Sequence, residues 1–410
     1  MFSSSRIRLL SYAILLFFAL SFFAASRMKQ LSSRLDSEGW ILKREAVDSG
    51  AGSVVELISG KYAIDGYFQS MQGPSSNLPQ FRVADAAAPE EIIWVTGIES
   101  KVVASANQTP ISAEYFCHAN LTLSPESTSP EAHCAAFPTP KHQDWRLFTL
   151  VPGRMKIELP PGFGIPLRAS TELDLYTMSL NQNPDRPVPG DIRFLSRIHY
   201  SKSSKTIGMR PVFRRALYVY QQFRELTPVS GLPAAAGKHI GEQCAQECEK
   251  SQLAAVPSRF NGADPNHPGA TCCVSNASTG GVLKQFGNDH TIHWMVPPGR
   301  HTYKSEVTDQ FELPFDTTAH YVTGHLHPCG VSLELVDVES GDVIFSIDSE
   351  DFDDLIGVRR MSELRFEAGI KLEKDRRYEL IAEYDNPTSK PSDAMAILYL
   401  YLAEEPDFSG

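Results

Sequence analysis

Val331-Ser332-Leu333-Glu334-Leu335-Val336-Asp337-Val338-Glu339-Ser340-Gly341-Asp342-Val343-Ile344-Phe345-Ser346-Ile347 is the stretch that decides the fold. Val331, Leu333 and Leu335 alternate with polar neighbours, Glu339 to Asp342 reads as a hairpin turn, and Val343, Phe345 and Ile347 alternate on the return. Successive strand residues face opposite ways, so a period of two predicts an antiparallel pair with one buried face. Working outward, short β-rich runs broken by Gly, Pro, Asn and Asp recur at Ile92–Val95, Phe148–Val151, Leu173–Tyr176, Val212–Tyr220, Tyr378–Tyr384 and Met395–Leu402. Long helical periodicity is missing. The pattern predicts an all-β chain of two consecutive antiparallel β-sandwich, jelly-roll-like domains. Their expected bounds are 51–229 and 230–408, after an export segment at 1–26 and a polar tether at 27–50. The Gly-, Ala-, Pro- and Cys-rich stretch from Ser230 to Cys273 reads as the connection that opens the second domain, with one short helix placing Cys244 and Cys248 on a shared face.

With 410 residues, 42% of them apolar, the chain can bury a large core, which excludes a disordered protein. A formal charge of −11 repels nucleic acid and anionic membrane surfaces, and no basic patch offsets it. Arg6 and Arg8 precede an apolar run from Leu9 to Ala25 that ends on the small residues Ala24, Ala25 and Ser26. That order predicts export, as a secreted or membrane-tethered protein that meets the membrane only through this segment. Export suits the seven cysteines, which an oxidising compartment would pair into three bridges with one thiol over. Asn107, Asn120 and Asn276 begin glycosylation sequons.

Gly324-His325-Leu326-His327-Pro328 carries the chemistry. On a strand the two imidazoles share a face while Leu326 points the other way, so both can reach one copper or zinc ion; the bland reading is a hydrogen-bonded histidine pair. Met395 opens the last strand on one face with Ile397 and Tyr399, which alone means core packing. A thioether becomes a ligand mainly for soft copper, so His325, His327 and Met395 together select copper over zinc. His290, His293, His301 and His320 read as structural or supporting. No Walker loop, nucleophile elbow or His-Glu-x-x-His motif is found, and the acidic run Asp348–Asp354 lacks the pattern of a calcium loop.

The segment from Val296 to Leu402 resembles the C-terminal domain of the copper type II, ascorbate-dependent monooxygenases, the family of peptidylglycine α-hydroxylating monooxygenase and dopamine β-monooxygenase. The matching pieces, in order, are Pro297 to His301, Gly324 to Pro328, Tyr384 to Thr388, Asp393 to Met395 and Leu398 to Leu402. The resemblance implies that His325, His327 and Met395 bind the copper at which dioxygen is activated, with ascorbate as external reductant. The N-terminal half is similar at Leu159 to Pro166, but where the family carries three histidines for a second, electron-delivering copper, this chain offers Cys117, His118 and Met178. Two accounts of these three stand: an altered, softer copper site, or a Cys117–Cys134 bridge beside a buried methionine.

Three functions follow as expectations. The first is a copper-dependent monooxygenase-like enzyme that hydroxylates a C–H bond of a small molecule or peptide. The second is a non-catalytic, extracytoplasmic copper-binding protein that keeps only the C-terminal site. The third is a metal-free adhesion or interaction module. A working electron-transfer site in the N-terminal half would need Cys117, His118 and Met178, or ligands from His133, His142 or His199.

Overall fold

The computed structural model describes Ser32–Arg34, most of 39–222 and all of 290–403. The export segment, Cys134, the Cys244, Cys248, Cys272 and Cys273 group, Asn276, His133 and His142 lie outside the described residues. Among those described, strands dominate, and the one α-helix is the four-residue Thr308–Phe311. No described helix is long and apolar enough to cross a membrane. The chain is an all-β protein in sandwich layers, as the alternation at 331–347 predicts.

That hairpin forms with Leu333 opposite Ile347 and Leu335 opposite Phe345, and all four side chains are buried. Its tip is tied by Asp337, whose Oδ1 accepts from the Glu339 and Ser340 amides. Val343, expected on the inner face, is 52% exposed, because the register slips between Leu335 and Val336 at the hairpin's free end. The hairpin belongs to a five-stranded sheet, in the order Gly299–Glu306, Tyr378–Asn386, Gly330–Asp337, Val343–Asp351 and Val358–Met361.

Facing it is one end of a twelve-stranded sheet. The strands there run Arg210–Tyr218, Ala396–Ala403, Thr317–Leu326 and Glu363–Leu372. Gly324 shows how closely the layers meet: a Cβ at that position would sit 3.2 Å from Leu333 Cδ2 and 3.4 Å from Ile347 Cγ2. The other end of the large sheet is covered by a four-stranded sheet ordered Ser75–Phe81, Leu173–Ser179, Phe116–Leu123 and Arg146–Leu150. One apolar cluster runs through both layer pairs. The large sheet also crosses from one half of the chain to the other. Phe163–Arg168 pairs parallel with Arg210–Tyr218, which pairs antiparallel with the C-terminal strand Ala396–Ala403.

Candidate functional site

The cleft between the halves is lined by the histidine strand Thr317–Leu326 on one side and by Phe116–Leu123 on the other. On the histidine strand Thr323, Gly324 and Leu326 are buried, and Leu326 joins the core. His325 pairs in register with Ile397 and Leu326 with Ala396, where the ladder ends, and His327 and Met395 are the next residues of the two chains. Directly paired residues of an antiparallel ladder project from the same face. His325, His327, Met395, Ile397 and Tyr399 all line one cleft. The predicted trio is therefore brought to one wall.

Met395 is placed from behind. Tyr384 donates its hydroxyl to the Met395 carbonyl at 2.7 Å, and the buried Asn386 donates to the Val296 and Lys390 carbonyls at 3.0 and 2.8 Å. The Tyr384-to-Thr388 motif thus clasps the short pair Trp294–Val296 and Ser392–Ala394. This small pair also brings two residues to the histidines: Asp393, which it contains, and His293, just before it.

His327 Nδ1 lies 2.9 Å from Asp393 Oδ2, and His293 Nδ1 lies 3.6 Å from Asp393 Oδ1. Burial opposes ionisation of Asp393, yet His327 and His293 hold its carboxyl well below the usual carboxylate range. An ionised carboxylate only accepts, so His327 directs an Nδ1 proton at Asp393, which leaves Nε2 as the nitrogen turned to the cleft. Ser70 Oγ, from the N-terminal half, stands 3.3 Å from that Nε2. The His325 and His327 ring centres are 5.0 Å apart, and those of His293 and His327 are 5.4 Å apart. His325 Nδ1 is buried with no hydrogen-bond partner. Burial, and then the imidazoles of His327, His118 and His293, push the His325 pKa well below its ordinary value, which keeps the ring neutral and able to donate a lone pair.

Across the cleft the structure also gathers the three residues of the N-terminal half. Met178 pairs with His118, Cys117 Sγ lies 3.2 Å from His118 Nδ1, and Cys117, Met178 and Leu180 pack together. Burial, reinforced by Arg146, pulls His118 down to about 3. The remaining expected histidines are elsewhere. His320 is a buried structural residue bonded to Phe366 O through Nδ1 and to Thr318 Oγ1 through Nε2. His301 Nε2 contacts the Pro298 carbonyl, and His199 sits on the Asp191–Lys202 strand, away from the cleft lining.

Two residues with direct bearing on the pair went unassigned in the sequence. Asp393 stood only as part of a resembling motif, and His293 only as a supporting residue. Its place two residues before Met395 was the one signal for Asp393, since alternation sets i and i+2 on one face. Of the sequons, Asn107 is exposed, whereas Asn120 is 5% exposed and cannot carry a glycan in the folded chain.

No family model matches the chain, and no curated protein matches it. Solved structures that align with the chain include a peptide-N(4)-(N-acetyl-beta-D-glucosaminyl)asparagine amidase, at 9% identity over 85% of this chain and 96% of that one, with a TM-score of 0.31. PNGase F, a glycosylasparaginase from Flavobacterium meningosepticum, aligns at 10% identity over 86% and 96%, with a TM-score of 0.30. The STIV MCP aligns at 8% identity over 84% and 95%, with a TM-score of 0.28. At such values these likenesses say nothing about activity or ligand.

Proposed function

We propose that this chain is an extracytoplasmic, copper-dependent monooxygenase-like protein that holds one copper ion with His325, His327 and Met395. The observation that carries the reading is the pairing of two imidazoles on one cleft wall, one with a buried, unpartnered Nδ1 and the other locked through Nδ1 to Asp393. A buried nitrogen without a partner costs about 1–3 kcal/mol, and an ion would relieve that cost. The His327–Asp393 bond is the arrangement by which a carboxylate fixes a ligating histidine's tautomer and orientation. Two nitrogens and a thioether form a soft donor set that suits copper.

Copper held there would supply dioxygen activation, converting substrate C–H, O₂, two electrons from an external reductant such as ascorbate and two protons into C–OH and water. The chain's own groups do the rest. Asp393 keeps the His327 proton on Nδ1, the clasp of Tyr384 and Asn386 sets Met395, and the apolar cleft excludes water from a bound substrate.

A second reading rests on a different grouping. His293, His327 and Asp393 offer two nitrogens and a carboxylate oxygen within 4.8 Å of one another, a set that suits iron(II) or zinc(II). Metal analysis of the purified chain, with His325→Ala, His327→Ala and Met395→Leu, separates the readings. Copper binding expects one copper per chain, lost in both histidine variants and weakened for Cu(I) in Met395→Leu. Loss of zinc or iron in His327→Ala, with indifference to His325 and Met395, favours the second set. Full retention of every metal by all three variants would leave neither standing. For the copper-loaded wild type, ascorbate-dependent oxygen uptake tests turnover, and none across a broad substrate panel leaves a copper-binding protein.

A further inference from the structure

The wall facing the histidines contains a polar group that the protein itself leaves unused. Asn120, on the Phe116–Leu123 strand, is 5% exposed and lines the cleft. Its partners in register are Tyr176 and Thr149. Its Oδ1 is buried and accepts no hydrogen bond. The neighbouring Thr149 Oγ1 accepts from Arg214 Nη2 at 3.1 Å and makes no bond to the amide oxygen. Most of the surrounding lining is hydrocarbon or aromatic, with Phe116, Val151, Leu180, Tyr218, Ile397 and Tyr399.

A cleft whose lining is mostly apolar, with polar groups set among it, has the character of a small-molecule site. In such a site an unpaired, buried acceptor discriminates. A ligand with a donor at that point satisfies the amide oxygen, and an analogue lacking the donor leaves it stranded. Charge narrows the choice further. Glu114 and Arg146 both line the cleft, so its charges cancel in sign and a neutral donor suits it best.

We propose that Asn120 Oδ1 is the specificity contact of the cleft, selecting a neutral, largely apolar molecule that carries an O–H or N–H donor. The inference rests on the reading of the cleft as an organic-ligand site, and it is independent of which metal the histidines hold.

The test uses full-length protein and three probes of nearly one shape: 3-phenylpropan-1-ol, its methyl ether and 3-phenylpropylamine, titrated calorimetrically. Wild type is expected to bind the alcohol about tenfold or more tightly than the ether. In Asn120→Leu that ratio falls to about one, with ether binding retained. In Asn120→Asp, which preserves the side chain's shape, the amine overtakes the alcohol. Equal binding of alcohol and ether to wild type, or a preference that survives Asn120→Leu, overturns the role of Asn120 while leaving the cleft as a ligand site. Should Asn120→Leu fail to fold, an unchanged probe order in Asn120→Asp overturns it equally. Binding of no probe to wild type overturns the ligand-site reading and this inference with it, whatever the copper content.

Discussion

Asp393 is the residue whose removal most cleanly probes the metal site without dismantling it. Its work is done through His327 Nδ1 at 2.9 Å. Asp393→Asn keeps the shape but lets the amide donate as readily as accept, so the His327 proton is no longer confined to Nδ1. Outer-shell partners of this kind typically contribute 10–100-fold in metal affinity. Copper affinity measured by competition with a calibrated chelator is expected to fall by about that factor, with an unfolding midpoint close to wild type. An unchanged affinity would mean that Asp393 orients nothing. The His325–Leu326–His327 spacing was readable in the sequence because strand alternation is local geometry. Asp393 was not readable, because its partner lies 66 positions away and only the fold brings them within bonding distance.

At the scale of elements, the site depends on the short pair Trp294–Val296 and Ser392–Ala394 more than on the long strands. Asn386 secures that pair with two donated bonds and accepts from the Thr388 amide at 3.0 Å and the Thr388 hydroxyl at 2.8 Å. Replacing it by Ala strips a partner from the buried Val296 carbonyl and another from Lys390 O. We expect Asn386→Ala to cost about 2–4 kcal/mol in denaturant unfolding and to weaken Cu(I) binding, since Met395 and Asp393 both hang from this clasp. Full stability in the variant would mean that the Tyr384-to-Thr388 motif is ornamental. The long strands were legible from their alternation. The two three-residue strands were not, since a segment that short holds no period to read and owes its form to side-chain bonds from Asn386.

On the scale of the whole molecule, the two halves are stitched together. Beyond the shared sheet, Tyr401 donates its hydroxyl to the Leu147 carbonyl at 3.1 Å, the Met361 amide donates to Gly153 O at 3.1 Å, and Arg154 Nη1 pairs with Glu363 at 3.1 Å. Gly153 adopts a left-handed φ of 75°, and a Cβ there would fall 2.7 Å from Met361 N, so the turn meets its neighbour at main-chain distance. Strands that share hydrogen bonds and one core melt together. Calorimetry is expected to give a single transition, with matching calorimetric and van't Hoff enthalpies. Two resolved transitions would mean that the halves are energetically separate, and that the cleft between them is free to open.

Alternation at 331–347 and its echoes determined, unaided, that this chain is built of strands in layers, since the pleat repeats every two residues regardless of what lies across from it. The same local rule put His325 and His327 on one face. Tertiary structure alone decided what surrounds those rings: Asp393 and His293 from a short clasped pair, and, in the same cleft lining, Met395 from just before the last strand and Asn120 on the opposing wall. Those meetings join residues tens to hundreds of positions apart, and a pattern read along the chain contains no information about which strands become neighbours.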